Sequence, residues 1–199
     1  KDNDVFKEFI HFTNNMLYFR SLDRNEYMGY RNDASSISHE IISQDNLQDF
    51  EDFLNEAGVN CKLEKQERDG AFQLYFSFAK KQIEFYNIAS KGTKVLSLFY
   101  IWFQQLKKSK SIKFLYIDEF DAFYHFKLSA LIVQKLKKIT GTQIILTTHN
   151  TSLLSNDILR PDCYFLMHPT EIKSLSRKTV KELREAHNIE KMYRAGSFD

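Results

Sequence analysis

Phe114-Leu115-Tyr116-Ile117-Asp118-Glu119 is the stretch that decides the fold, because it is an unbroken apolar run that ends in two acids. A second apolar run, Gln143-Ile144-Ile145-Leu146-Thr147, ends in Thr148-His149-Asn150, and a helical pattern lies between the two runs. Continuous apolar runs joined by a helical crossover are typical of parallel, fully buried strands. The sequence therefore predicts an α/β fold with a mostly parallel sheet flanked by helices.

Polar side chains follow both predicted strands where each strand ends. In open parallel sheets, ligands bind at the carboxyl ends of the strands. A carboxylate there, Asp118, can hold Mg²⁺, and its neighbour Glu119 can polarise an attacking water. The alternative is that the two acids cap the next helix, where the helix dipole favours negative charge. His149 can hydrogen-bond a terminal phosphate, although a single histidine is more often structural.

Composition indicates a soluble globular protein of a reducing compartment. The 199 residues are 43% hydrophobic and 27% charged, and only 6 Gly and 2 Pro argue against long disordered linkers. Cys61 and Cys163 form neither a metal-ligand spacing nor a disulfide framework. No apolar run approaches the roughly 20 residues of a membrane span, and no secretory leader is visible. We therefore expect a cytoplasmic protein without a membrane partner.

Charge is distributed unevenly along the chain. Residues 1–60 carry 5 Lys/Arg against 12 Asp/Glu, a net charge of −7, whereas residues 61–199 carry 23 against 14, a net charge of +9. This difference in charge indicates that residues 1–60 form a separate unit. A basic second part can serve a polyanion, either the phosphates of a nucleotide or a nucleic acid.

Hydrophobic periodicity predicts the secondary structure of the first half. Residues 1–20 have the spacing of an amphipathic helix, and residues 46–57 predict a helix that ends at Gly58. Within residues 60–88, Phe72 to Phe78 alternate with period two, and the turn Arg68-Asp69-Gly70 joins this strand to a weaker one before it. These residues predict an antiparallel β patch.

The second half adds a buried helix and a short tail. Residues 94–106 are apolar on most sides, and the Ser90-Lys91-Gly92-Thr93 start offers hydroxyls and free N–H groups to an anion. Residues 162–167 and 172–175 predict strands, and residues 178–193 predict a helix.

The order of these motifs resembles the second half of an ABC-type ATPase head. Ser90-Lys91-Gly92-Thr93 resembles a degenerate signature motif, and Phe114 to Glu119 resembles Walker B with its catalytic glutamate. The segment from Glu119 to His125 resembles the D-loop region. Thr148-His149-Asn150 resembles the switch-histidine loop.

The tail strengthens the resemblance. Leu159-Arg160-Pro161-Asp162, Arg184-Glu185-Ala186-His187-Asn188 and Tyr193-Arg194-Ala195-Gly196-Ser197-Phe198 are similar to the C-terminal pattern of prokaryotic "AAA family ATPases". These are ABC-class relatives of overcoming-lysogenisation-defect and abortive-infection ATPases. The resemblance covers residues 88–199. It implies a C-terminal lobe at residues 61–199, with residues 1–60 as a helical insertion or subdomain.

The resemblance implies a nucleotide site that uses ATP and Mg²⁺. Asp118 would coordinate Mg²⁺, Glu119 would orient or deprotonate the attacking water, and His149 would contact the γ-phosphate. Positioning and charge neutralisation supply most of the acceleration in phosphoryl transfer. The implied context is prokaryotic phage defence or DNA maintenance.

The resemblance also implies a second subunit. Ser90 and Gly92 would complete the partner's nucleotide site in a head-to-tail homodimer, and Asp121 and His125 would lie in the D-loop beside the nucleotide. An effector nuclease is a candidate partner, and so is nucleic acid.

Three features depart from this pattern. His125 stands where many ABC proteins have an aspartate, and the signature motif has one glycine rather than two. No Gly-x-x-x-x-Gly-Lys-Ser/Thr loop occurs anywhere among the residues. Because the sequence starts at Lys1 rather than Met, we expect the phosphate-binding loop to lie upstream. This chain alone should then hydrolyse ATP negligibly.

Two further functions remain open. One is a metal-dependent nuclease that uses Asp118 and Glu119, with Asp121 and His149 as additional groups. The other is a non-catalytic half-head that binds a partner subunit, which the missing phosphate-binding loop favours.

Overall fold

The structure is a computed structural model that describes residues 3–20, 27–29, 37–43, 45–68, 70–179, 183–184 and 186–198. The elements of these residues are, in order, α1 (Asp4–Asn14), β1 (Met16–Arg20), β2 (Tyr27–Gly29), α2 (Ile37–Ser43), α3 (Leu47–Glu56), β3 (Leu63–Arg68), β4 (Ala71–Phe78), β5 (Lys81–Glu84), α4 (Phe85–Ile88), α5 (Lys91–Lys108), β6 (Phe114–Asp118), α6 (Phe126–Leu136), β7 (Gln143–Leu146), β8 (Phe165–His168), β9 (Glu171–Ser174), α7 (Leu175–Lys178) and α8 (Ile189–Arg194).

The main sheet has the strand order β2-β1-β6-β7. β6 pairs in parallel with both β1 and β7, whereas β2 runs antiparallel to β1. The helix between β6 and β7 is α6. The predicted α/β fold with a mostly parallel sheet is confirmed.

The two faces of this sheet differ in burial. One face is buried in the core through Leu17, Phe19, Leu115 and Ile117. The other face is half-exposed and aromatic, and we call it the open face; it is formed by Met16, Tyr18, Phe114, Tyr116 and Ile145.

The open face shows that the prediction of fully buried strands is wrong for β7. β7 lies at the edge of the described sheet, and 39% of Ile145 is exposed. On the open face Tyr18 stacks on Tyr116 with ring centroids 5.4 Å apart, and Phe12 of α1 lies 6.2 Å from Phe114. Parallel sheets usually have both faces covered, so this face is of the kind that a further layer covers.

The antiparallel patch is present as the sheet β3-β4-β5. Gly70, with φ +76°, lies in the turn between β3 and β4, and Gly58, with φ +86°, follows the end of α3. Both positions need a left-handed backbone that glycine adopts without strain. The helix that ends at Gly58 and the antiparallel patch are therefore confirmed.

The prediction of one helix over residues 1–20 is wrong at its end. α1 stops at Asn14, where the side chain of Asn15 turns back to donate to the carbonyl of His11 at 2.7 Å. Met16–Arg20 is a strand that pairs with β6 over its whole length. The division at residue 60 stays a prediction. One hydrophobic core nevertheless includes Leu17 and Phe50 together with Leu115.

The tail forms a two-stranded hairpin, β8-β9, and a second small core of Leu175, Ile189 and Phe198. Pro161–Cys163 is a 3₁₀ turn, so the strand predicted at residues 162–167 begins only at Phe165. The helix predicted at residues 178–193 is wrong for residues 183–184 and 186–188, which are not helical. Residues 180–182 and 185 lie outside the described residues. No helix of the described residues has the length and apolarity of a membrane span.

Candidate functional site

The carboxyl ends of β6 and β7 are joined by hydrogen bonds that extend beyond the strands. The N–H of Thr147 donates to the carbonyl of Ile117 at 3.0 Å, and the N–H of Phe120 donates to the carbonyl of Thr147 at 3.1 Å. The two segments that carry the predicted site residues are therefore held side by side.

Asp118 is a half-buried carboxylate with one oxygen engaged. Its Oδ1 accepts from the hydroxyl of Thr147 at 2.5 Å and from the hydroxyl of Tyr116 at 3.4 Å. Burial, together with the charge of Asp118, raises the pKa of Tyr116, so this hydroxyl stays a donor. Both described hydrogen bonds go to Oδ1, which leaves Oδ2 for a ligand.

Glu119 follows in a strained backbone conformation. Its φ of +45° lies in the left-handed region, which is costly for a residue with a Cβ. Its N–H donates to the hydroxyl of Thr147 at 2.8 Å. Its Oε1 lies 3.7 Å from Nε2 of His149, and 52% of the Glu119 side chain is exposed. The structure thus brings Asp118, Glu119 and His149 together at two neighbouring strand ends.

The alternative that the two acids cap the next helix is wrong. The cap of α6 is His125, whose Nδ1 accepts from the N–H of Leu128 at 3.4 Å. A nucleotide role for His125 stays a prediction, and its described contacts are those of a helix cap. Asp121 accepts from the hydroxyl of Thr148 at 2.6 Å, which links the loop after β6 to the loop after β7.

Ser90 and Gly92 lie at the N-terminus of α5. The hydroxyl of Ser90 caps the helix by accepting from the N–H of Thr93 at 3.1 Å. A Cβ at Gly92 would lie 3.3 Å from the carbonyl oxygen of Phe123, so the backbone here approaches closely. The Nζ of Lys91 lies 4.2 Å from the ring centroid of Phe123. The start of α5 therefore packs against the loop that follows Glu119.

The sequence interpretation missed Arg20 as a residue of this edge. Arg20 is the register partner of Asp118 across the parallel β1-β6 pair, so both lie on the open face at the carboxyl ends of their strands. The signal was present in Met16 to Phe19, a run of large apolar and aromatic residues of the kind that strands favour. A cation at this position suits an anionic ligand.

The residues fit a magnesium site that needs the substrate's own oxygens. Mg²⁺ is usually bound by one or two carboxylates together with phosphate oxygens and waters, and Oδ2 of Asp118 offers one such ligand. The described residues contain no group of three or more His, Cys, Asp or Glu side chains that could hold a metal ion. A nuclease centre of several acids therefore gains no support from this part of the chain.

The family-model comparison decides the classification. A family model described as "AAA domain, putative AbiEii toxin, Type IV TA system" matches residues 2–155, which is more than half of the chain. The chain belongs to this family. Membership supports an ATPase-like function in an abortive-infection or toxin–antitoxin context, and the recognised family is confirmed.

The extent of the AbiEii-type match differs from the extent of the resemblance. It includes nearly all of residues 1–60, for which the sequence offered no motif, and it ends before the tail motifs that begin at Leu159. Arg20, Asp118 and His149 all lie inside it. No curated protein matches the chain closely enough to count as a relative.

Proposed function

We propose that this chain is the hydrolytic half of an ATPase of abortive-infection type. Asp118 holds Mg²⁺, Glu119 orients or deprotonates the attacking water, and His149 contacts the terminal phosphate. The observation that supports this is the convergence of the three side chains at the carboxyl ends of two neighbouring parallel strands, inside an AAA-family domain. Ligands of open α/β sheets bind at this edge.

We propose that the phosphate-binding half comes from a segment outside these 199 residues. The chain contains no Gly-x-x-x-x-Gly-Lys-Ser/Thr loop, so nothing in it provides the usual cradle for a β-phosphate. Two features support a docked second half. β7 is the edge of the described sheet, and the open face beside it is apolar. A strand added to β7 and a layer on the open face would complete a doubly covered parallel sheet.

When bound, Mg²⁺ neutralises charge on the nucleotide phosphates. The residues of this chain position the attacking water and the nucleotide. Glu119 and His149 contact each other at 3.7 Å with both side chains exposed, so each faces the solvent from which water and nucleotide arrive. Asp121 is held to the loop after β7 through Thr148.

We further propose a head-to-tail homodimer in which Ser90 and Gly92 complete the nucleotide site of the partner subunit. The N-terminus of α5, an 18-residue helix, offers N–H groups and a positive dipole to a phosphate. His125 would face the same nucleotide from the D-loop. The packing of Gly92 against Phe123 supports a single unit made of the helix start and this loop.

Nucleic acid and an effector nuclease stay predicted partners. Several lysines at the ends of α5 and α6 make contacts within the chain. Lys135 forms an ion pair with Glu56 at 2.6 Å, and Lys137 donates to the carbonyl of Ile158 at 3.3 Å. These contacts agree with the ordinary preference of cations for helix C-termini. They give no independent support to a nucleic-acid surface.

The test is ATP hydrolysis by the full-length ATPase that contains this chain. Glu119→Gln should lower kcat by about 100-fold or more, since a positioned general base contributes about 10²–10⁴. ATP binding and the ATP-dependent dimer should persist. Glu67→Gln, on the exposed part of β3, is the matched control and should hydrolyse ATP like the wild type. Equal kcat for the Glu119 variant and the wild type would exclude the proposed role and favour the non-catalytic half-head.

A further inference from the structure

Thr147 makes hydrogen bonds to the whole turn that carries the two acids. Its N–H donates to the carbonyl of Ile117, and its own carbonyl accepts from the N–H of Phe120. Its hydroxyl donates to Oδ1 of Asp118 at 2.5 Å and accepts from the N–H of Glu119 at 2.8 Å. One residue of the β7 end therefore contacts each of the four residues from Ile117 to Phe120.

The hydroxyl is used in both of its capacities. A threonine hydroxyl has one proton to donate and lone pairs that accept. The proton goes to the carboxylate of Asp118, and a lone pair receives the N–H of Glu119. Among side chains of this size only serine offers the same pair of functions. Valine has a similar shape but offers neither.

The bond to the N–H of Glu119 opposes backbone strain. A left-handed residue other than glycine costs on the order of 1–3 kcal/mol and persists only where its surroundings fix it. Two hydrogen bonds to Thr147 fix the backbone at Glu119. The N–H of Glu119 donates to the hydroxyl of Thr147, and the N–H of Phe120 donates to its carbonyl. Without the hydroxyl, the turn loses the bond that lies directly on the strained residue.

The bond to Asp118 selects which carboxylate oxygen is free. Thr147 and Tyr116 both donate to Oδ1, and the bond from Thr147 is the shorter at 2.5 Å against 3.4 Å. Two donors on one oxygen restrict the rotation of the carboxyl group, and Oδ2 remains for a cation. A hydrogen bond to a charged group is among the stronger ones in proteins.

We propose that Thr147 is a positioning residue that sets the orientation of Asp118 for its cation and holds Glu119 in its left-handed conformation. This rests on the proposed ATPase function. Thr147 acts through its two neighbours and need not touch nucleotide or water itself.

The first experiment measures amide hydrogen exchange in this 199-residue chain. Thr147→Val should raise the exchange rate of the Glu119 amide about tenfold, as expected for the loss of one hydrogen bond to a strained turn. Thr147→Ser should stay close to the wild type. The matched control is Thr142→Val at the other end of β7, which removes the bond from Thr142 to the carbonyl of Ile112 at 2.7 Å. It should leave the Glu119 amide unchanged.

The second experiment measures the Mg²⁺ concentration that gives half-maximal ATP hydrolysis in the full-length protein. Thr147→Val should raise it about tenfold, and Thr147→Ser should restore it. Amides of β3, β4 and β5 report whether each variant is folded. If they lose protection in the valine variant, Thr147→Ala serves for the same comparisons.

The outcomes separate the two proposals. Unchanged exchange at Glu119 together with an unchanged Mg²⁺ requirement overturns the role of Thr147, even if Glu119→Gln is inactive. A second outcome is faster exchange of the Glu119 amide in Thr147→Val but not in Thr147→Ser, together with full ATPase activity of Glu119→Gln. That outcome supports the role of Thr147 in holding the turn and excludes the proposed hydrolytic role of Glu119.

Discussion

Glu51 and Glu119 are two glutamates that the fold treats in opposite ways. Glu51, in α3, is 6% exposed and its oxygens are all engaged. Oε2 accepts from the N–H of Leu63 at 2.7 Å, and Oε1 accepts from Lys62 at 2.9 Å and from Gln48 at 3.3 Å. Glu119 has 52% of its side chain exposed, and its Oε1 lies 3.7 Å from Nε2 of His149.

The difference indicates which of the two carboxylates contributes to the stability of the fold. Burial raises the pKa of Glu51, but the bonds from Leu63, Lys62 and Gln48 outweigh it, so the pKa is held below its usual range. Glu51 therefore stabilises the folded chain in its charged form. Glu119 sits on a strained backbone, and its side chain is half-exposed beside His149. Residues that cost stability without an internal gain are expected at functional sites.

The largest effect is expected when the same substitution is made at both positions. Glu51→Gln should lower the free energy of unfolding by about 2 kcal/mol, because an NH₂ group replaces one of the two accepting oxygens. Either Leu63 or Lys62 then loses its acceptor, and the charge-assisted bond is lost in both cases. Glu119→Gln should change it by less than about 0.5 kcal/mol, as for an ordinary surface position. Urea unfolding at pH 7 measures both. Similar losses of unfolding free energy in the two variants would contradict the difference proposed between Glu51 and Glu119.

A second effect concerns Tyr124, in the loop after Glu119. Its hydroxyl is buried without a hydrogen-bond partner among the described residues, and burial raises its pKa well above the usual value. A raised folded pKa adds stability that is fully present below pH about 10 and is lost as pH rises further. The loss is about 1.4 kcal/mol per pH unit. Tyr124→Phe should remove this part of the alkaline decline. Urea unfolding between pH 9 and 11 tests it, and parallel declines in the two proteins would contradict it.

The smallest effect tests the strain at Glu119 itself. Glu119→Gly should raise the free energy of unfolding by about 1 kcal/mol, since glycine adopts φ of +45° without a Cβ penalty. Glycine also loses more entropy on folding, which limits the gain. Thermal unfolding measures the change. Glu67→Gly, near the end of β3, is the control and should destabilise the protein. A similar loss at Glu119 would show that the backbone there is not strained.

The elements that the sequence predicted well are those with local patterns. The β6-β7 pair, the antiparallel patch and α5 follow from continuous or alternating apolar runs. Asp118, Glu119 and His149 could be proposed because each follows the end of such a run. That these three residues lie close together could also be predicted, because the carboxyl ends of neighbouring parallel strands meet at the same edge of the sheet.

The parts that the sequence did not predict depend on distant pairing. β1 follows an amphipathic helix without a glycine or proline between them, so the helical spacing of residues 1–20 hid the change at Asn15. Arg20 could not be placed beside Asp118 without the register of β1 on β6. The bonds of Thr147 likewise depend on the register at the ends of β6 and β7.

The pairing of β1 with β6 also has a consequence for folding kinetics. Met16 and Phe114 are neighbours in the sheet but lie about 100 residues apart in the chain. Pairings of such separation close a long loop and form slowly. At a translation rate of roughly 5–20 residues per second, β1 leaves the ribosome several seconds before β6 exists. The edge that joins Arg20 to Asp118 is therefore assembled late. Trp102 is the only tryptophan, and its ring centroid lies 5.5 Å from that of Phe19 in β1. Its fluorescence should therefore report the docking of β1.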